Sequence, residues 1–425
     1  VPVLEAPDET SHVAMVRYIA QNRDLPVQRP PDFPAGQEGS QPPLYYALGA
    51  LLWQLAPQST VAPTFAAHNP FVRFNRDPTP LDNRNLYAHT AAEAFPYQGD
   101  VLAIHLVRLL SALFGTITVL ATYLLAHELF PNRRILPLAA AGLVALNPEF
   151  VFISAVVNND VATAATATIT LWLAVRWRRR GGSLGAALVL GASLGAALLA
   201  KTSGLLLAPV VGLALVGDVL GLVSWRRWVG RVSVVCLVAA GCAGWWFVRN
   251  VILYGDPLGW DVMLQANSPM IRGHQIDPAA AIQVLWRARD TYWGAFGWTN
   301  VFFQPSVYRT IEILEGVALL GLGAAGLRAL LARRPGGPTD FRRWLLGGAW
   351  LPFLLVAGWP LLVFVSLVRW VQINNAADQW RLLFPAVGAI GVLLAFGLAG
   401  PKTPPPPGGG GGGGARGGGG GPPPP

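Results

Sequence analysis

The sequence predicts an all-α polytopic membrane protein: a bundle of transmembrane helices preceded by a large first loop that carries short interfacial helices. Three observations carry this. Of 425 residues, 53% are hydrophobic and only 12% are charged, about half the roughly 25% charge that covers a soluble domain. Apolar runs near 20 residues, the length a hydrocarbon core of about 30 Å demands at helical rise, recur through the chain. Arginine clusters fall in every second connection between those runs, as the positive-inside rule requires.

The elements follow in order. Residues 1–100 form a polar, proline-punctuated first loop. Within it, Val13, Val16 and Ile19 recur at helical spacing after Pro7 and Asp8, predicting a helix over 11–20 that Asp8 would cap. Leu44 to Leu55 is apolar but too short to span, and predicts a helix at the membrane interface, entered through Pro42-Pro43 and anchored at headgroup level by Tyr45 and Tyr46. Residues 57–99 read as loop. Spans are expected near 101–130, 135–157, 161–177, 183–200, 204–224, 232–248, 311–332, 344–368 and 382–400, a bundle of about nine helices within 101–400.

Arg133-Arg134, Arg176 to Arg180, Arg226-Arg227-Arg231, Arg333-Arg334 with Arg342-Arg343, and Lys402 mark the cytoplasmic connections. The first 100 residues, the turn Asn158-Asn159-Asp160, the turn at Lys201, the loop near 249–310 and the segment 369–381 then share the opposite face. An odd number of spans places the two ends on different sides, which implies a further membrane helix ahead of residue 1. Residues 401–425, runs of glycine and proline, read as a disordered tail. Glycines around Gly185, Gly191 and Gly195 predict close helix packing.

Composition also excludes. The net charge of +9 comes almost wholly from arginine and reads as topology rather than nucleic-acid binding. Cys236 and Cys242 sit in one apolar run and imply no disulfide framework. No glycine-rich nucleotide loop follows a strand, and His127-Glu128 lacks the second histidine of a zinc-protease helix.

Polar groups are costly beside lipid, so those retained at the outer face mark the candidate site. Asp8-Glu9 with His12 is the first group. In a helix Asp8 and His12 would share a face, able to poise a general base or, with Glu9 and Asp160, to offer ligands to a divalent ion such as magnesium or manganese. Gln41 and Tyr45 are further substrate-contact candidates. Lys201, Arg249 and Arg381 are cations on the side that disfavours them, and together they predict a pocket for a phosphate-bearing ligand near the membrane surface.

"PDETSH" at Pro7–His12 followed by "QPPLYY" at Gln41–Tyr46 resembles the first loop of the polytopic GT-C glycosyltransferases. Within that group the likeness is to bacterial relatives of protein O-mannosyltransferases and lipid A aminoarabinose transferase. "WWFVRNVILYGDPL" at Trp245–Leu258, "WGAFGW" at Trp293–Trp298 and "QWRLLFPA" at Gln379–Ala386 extend it over nearly all of residues 1–400. The resemblance implies a GT-C-like bundle in a bacterial inner membrane. The implied reaction transfers a sugar from a polyprenyl-phosphate donor to a lipid, glycan or protein acceptor at the extracytoplasmic face, with membrane lipids as the other partner. It also implies that Asp8 is the catalytic base and Glu9 its acidic neighbour, that His12 lies nearby, and that Arg381 contacts the donor phosphate. The chain departs from the family in lacking the usual first span and in carrying "QWRLLFP" where relatives have "GRYLLP". A transporter or flippase for an anionic or lipid-linked substrate is the rival reading, and a non-catalytic assembly subunit a third.

Overall fold

The structure is a computed structural model that describes residues 1–57, 67–73, 83–216, 224–331 and 350–400. The glycine and proline tail, part of the fifth expected span, the start of the eighth, and the arginine pairs at 333–334 and 342–343 lie outside the described residues.

Two helices precede the first long apolar helix: α1 (Glu9–Asn22) and α2 (Leu44–Trp53). The bundle follows as α3 (Gly99–Leu129), α4 (Ile135–Ala145), α5 (Pro148–Ser154), α6 (Asp160–Arg180), α7 (Leu184–Ala200), α8 (Leu207–Val216) and α9 (Trp225–Tyr254). After the short α10 (Trp260–Ala266) and α11 (Pro278–Arg287) come β1 (Ala295–Phe296) and β2 (Val301–Phe302), an antiparallel pair too small to alter the helical class. The chain then returns through α12 (Pro305–Leu331), α13 (Leu351–Ile373) and α14 (Val387–Leu398).

Among the described residues five helical segments are long and apolar enough to cross a membrane, or six if α4 and α5 form one broken span. That pair bends by 62° where the sequence predicts a single run over 135–157. Asn147 and Pro148 cause the break: the Asn147 side chain accepts from the Phe150 amide and starts a new helix, while Pro148 has no N–H to continue the old one. Helix α9 runs past Arg249 to Tyr254, where Gly255, at φ 74°, ends it.

α3 lies along α6 and α7 along α9. Gly191 and Gly195 of α7 make the second approach possible, since a β-carbon at Gly195 would stand 2.5 Å from that of Cys242. A β-carbon at Gly185 would meet only the Ser183 hydroxyl, at 4.0 Å, so Gly185 has no such role. The polar ends of α6, α7 and the segment before α14 meet Asp8, just ahead of α1, at one end of the bundle. The arginines that close α6 are at the other, about 30 Å away for a helix of this length; there Arg180 pairs with Glu128 of α3.

A candidate active site built on Asp8 and Arg381

Asp8 directly precedes α1 but does not cap it. It sits in the left-handed region at φ 64° and its side chain makes no cap bond. Aspartate tolerates this conformation better than most residues, and the turn aims the carboxylate elsewhere. One oxygen accepts from the Gln37 amide at 2.9 Å, the other from an Arg381 terminal nitrogen at 2.7 Å. A third of the Asp8 side chain remains exposed.

Arg381 is held from both sides. It belongs to a 3-10 turn, Trp380–Ala386, pinned by aromatic side chains. The Trp380 indole donates to the Leu285 carbonyl, Trp359 of α13 donates to the Pro385 carbonyl, and buried Phe384 meets the rings of Phe150 and Tyr292. The guanidinium, 4% exposed, spends one N–H on each of Asp8, Asp160 (3.2 Å) and Gln379 (2.6 Å). Its remaining donors have no partner among the described residues.

Asp160 opens α6 and accepts from Lys201 at 2.6 Å as well as from Arg381. Asp8, Arg381, Asp160 and Lys201 thus form one alternating chain of charges drawn from four parts of the sequence. Burial works against the charge of Asp8, but Arg381, with His12 and the Gln37 amide, holds its carboxyl below the ordinary value. Burial likewise opposes the Lys201 charge, and Asp160 and Glu38 more than compensate, raising its pKa.

A second network adjoins the first. Tyr46 donates to Glu38 at 2.8 Å and lies 2.9 Å from His12 Nδ1, whose ring stacks on it. Both tyrosines of "QPPLYY" are fully buried, which corrects the expectation that they anchor α2 at headgroup level. Tyr45 braces the interior, sharing a 2.7 Å hydrogen bond with Ser111 and accepting from the Asn158 amide. α1 and α3 cover the face of α2 that carries the tyrosines, while Leu48 and Leu51 on its other face stay exposed.

The fate of each remaining sequence candidate is plain. Glu9 is fully buried and faces away from the cluster: it accepts two bonds from Arg108 and one from the Val157 amide, locking α1 to α3. Arg249 stays apart as well. It donates to the carbonyls of Leu25 and Pro26 and covers the Trp246 ring, so backbone oxygens and a π face take the place of the anion expected there. Gln41 leaves its amide oxygen buried with no hydrogen-bond partner among the described residues.

His12 turns to Tyr46, not to Asp8. Asp8, Glu9 and His12 do not converge as a divalent site, and no group of three or more His, Cys, Asp or Glu among the described residues could hold a metal ion. Sequence reasoning passed over Gln37, Glu38, Arg108 and Gln379, and gave Tyr46 only an anchoring role. It also passed over Glu149, a buried carboxylate that accepts from the Ala295 amide. Only the polarity of "GQEGSQ" beside "QPPLYY" points to Gln37 and Glu38; nothing local marks Arg108, Gln379 or Glu149.

Residues 102–246, which are 145 of the 425, match the family model described as dolichyl-phosphate-mannose-protein mannosyltransferase. Asp160 and Lys201 fall inside that stretch; Asp8 and Arg381 fall outside it. No curated protein matches the chain. Solved structures similar to the chain include two membrane enzymes. The apo crystal structure of ArnT from Cupriavidus metallidurans is 16% identical and is aligned over 94% of this chain and 72% of that one, with a TM-score of 0.39. The Archaeoglobus fulgidus oligosaccharyltransferase, crystallised with zinc and sulfate, is 14% identical over 92% of this chain, with a TM-score of 0.50. The chain spans only 45% of that larger protein, and at such identity the likeness is one of fold. Together with the apolar helices, these findings make the chain a polytopic helical membrane protein with a GT-C-like fold, similar over residues 102–246 to the dolichyl-phosphate-mannose-protein mannosyltransferases.

Proposed function

We propose that the chain is a membrane glycosyltransferase that moves a sugar from a polyprenyl-phosphate donor to an acceptor hydroxyl, with Asp8 as general base. The observation that carries this is the charge chain itself: a partly exposed carboxylate whose partner, Arg381, is a buried guanidinium with donors to spare. A donor phosphate would compete for Arg381 and Lys201 through charge-assisted hydrogen bonds. As the guanidinium turns toward phosphate, its hold on Asp8 weakens and the carboxylate becomes a better base.

The acceptor hydroxyl gives its proton to Asp8 while its oxygen forms a bond to the anomeric carbon. On the opposite face the carbon–oxygen bond to phosphate breaks and its electron pair leaves with the lipid phosphate. Arg381 and Lys201 stabilise the growing charge in a partly desolvated setting. Such a single displacement inverts the anomeric centre. The arginine-rich end of α6 lies opposite the cluster, and the positive-inside rule therefore supports an extracytoplasmic site in a bacterial inner membrane. Lipid, glycan and protein acceptors all offer the hydroxyl this chemistry needs.

The test is Asp8→Asn in the full-length protein, scored for sugar transfer and for donor-lipid binding in the same membranes. Transfer is expected to fall by about 10²- to 10⁴-fold, the usual worth of a general base, with donor binding retained. That outcome also excludes a pure transporter, whereas undiminished transfer removes Asp8 from the base role.

A further inference from the structure

A cleft of about 400 Å³ opens beside the charge cluster, among the loops that link the spans. One wall is the end of α11, with Arg287, and behind it Thr291; the hairpin supplies Thr299 and Phe302; Asp378 and Gln379 close the third side. The volume lies within the roughly 300–1,000 Å³ of small-molecule sites.

Its chemistry is specific in kind. A guanidinium, a carboxylate, an amide and two hydroxyl groups share the lining with one aromatic ring, Val284 and Ala288, so the lining combines polar groups with apolar surface. Arg287 and Asp378 are exposed, and neither has a hydrogen-bond or ion-pair partner among the described residues. A lipid tail would leave these charges unpaired, and a phosphate would meet Asp378 beside the only cation of the lining. A pyranose or furanose, with hydroxyls at its rim and C–H groups on its faces, matches both halves of the lining.

The cleft is tied to the reacting groups at two places. Gln379 lines it and accepts from Arg381 Nε at 2.6 Å. Thr299 lines it next to Trp298, whose indole donates to the carbonyl of Leu4, in the segment leading to Asp8. Thr299 is also held at φ 57°, where a β-branched residue is a conformational outlier. Strain of this kind persists only where surrounding structure enforces it, and it gathers at ligand sites.

We propose that this cleft binds the saccharide portion of the acceptor, an inference that rests on the glycosyltransferase reading and names the acceptor class for the same site. The experiment reads binding rather than turnover. Saturation-transfer NMR is recorded with D-glucose, D-mannose and L-arabinose on the full chain in lipid nanodiscs. Wild type is compared with the exposed double variant Arg287→Ala/Asp378→Ala and with Thr299→Trp, which fills the cleft.

Signal from at least one sugar in wild type, reduced fivefold or more in both variants, is the expected result. No signal in wild type, or full signal in the variants, overturns the proposal. The second arm measures affinity for farnesyl phosphoglucose, a short donor probe. It should change less than twofold in the double variant, and a loss matching that of the free sugars would assign the cleft to the donor and overturn the acceptor assignment. Sugar binding with no transferase activity would sink the glycosyltransferase reading alone, and transfer without cleft binding would sink this inference alone.

Discussion

Replacing Arg381 by alanine removes a side chain that bonds both Asp8 and Asp160. Breaking a buried ion pair by deleting one partner costs about 3–5 kcal/mol, because the surviving charge is left uncompensated. Here each carboxylate keeps a second partner, Gln37 at 2.9 Å for Asp8 and Lys201 at 2.6 Å for Asp160. Water can also reach the exposed third of Asp8. The stability loss should therefore fall at the low end, about 3 kcal/mol.

Donor binding should suffer separately. A hydrogen bond to a charged group contributes roughly 1.5–3 kcal/mol, which at about 1.4 kcal/mol per decade is about a ten- to hundredfold weaker affinity for polyprenyl phosphate. Arg381→Lys should recover only part of this, since an ammonium is a point charge that cannot span two carboxylates while meeting a phosphate. The assay is equilibrium binding of the lipid phosphate to purified protein in nanodiscs, with thermal unfolding measured on the same samples. A folded Arg381→Ala protein that binds lipid phosphate as wild type does would refute the phosphate role of Arg381 and the mechanism built on it.

Two other outcomes are expected. Glu9→Gln should destabilise by about 3–5 kcal/mol because it strips Arg108 of its buried anion, while transfer per folded molecule stays near wild type; a loss as deep as that of Asp8→Asn in folded protein would return Glu9 to the chemistry. The lowered pKa of Asp8 fixes a sign for pH dependence. In the window between the folded and unfolded values the unfolded chain binds the extra proton, so stability from this group is complete above about pH 4 and is lost as pH falls through the lower folded value. The acid limb of kcat/KM, which reports the free enzyme, should accordingly lie below pH about 4. That of kcat should lie higher, because bound phosphate draws Arg381 away; coincident limbs would show that phosphate does not engage Arg381.

Where the signal was local, the elements were legible. Apolar runs gave α3, α9, α12 and α13, since a residue's cost in lipid depends mainly on its own side chain and its helical neighbours. Asp8, Asp160, Lys201 and Arg381 stood out for the same reason, as polar groups kept at membrane ends. What failed depended on partners far along the chain. Asp8 looked like a cap and Glu9 like its working neighbour, yet consecutive residues entering a helix point in different directions, one toward Arg381 and the other toward Arg108. Arg249 was marked as needing an anion and found two carbonyls instead.

By itself, then, the sequence determined the class of molecule and drew attention to the polar groups kept at membrane ends. Hydrophobic transfer and helical periodicity are additive along a chain and need no knowledge of the fold. Only the tertiary structure decided which charges meet: Arg381 and Asp8 are 373 residues apart, and nothing in the local chemistry of either selects the other. Ion pairing acts over a few ångströms of space rather than along sequence, so the site became visible only once four helix ends had been packed against one another.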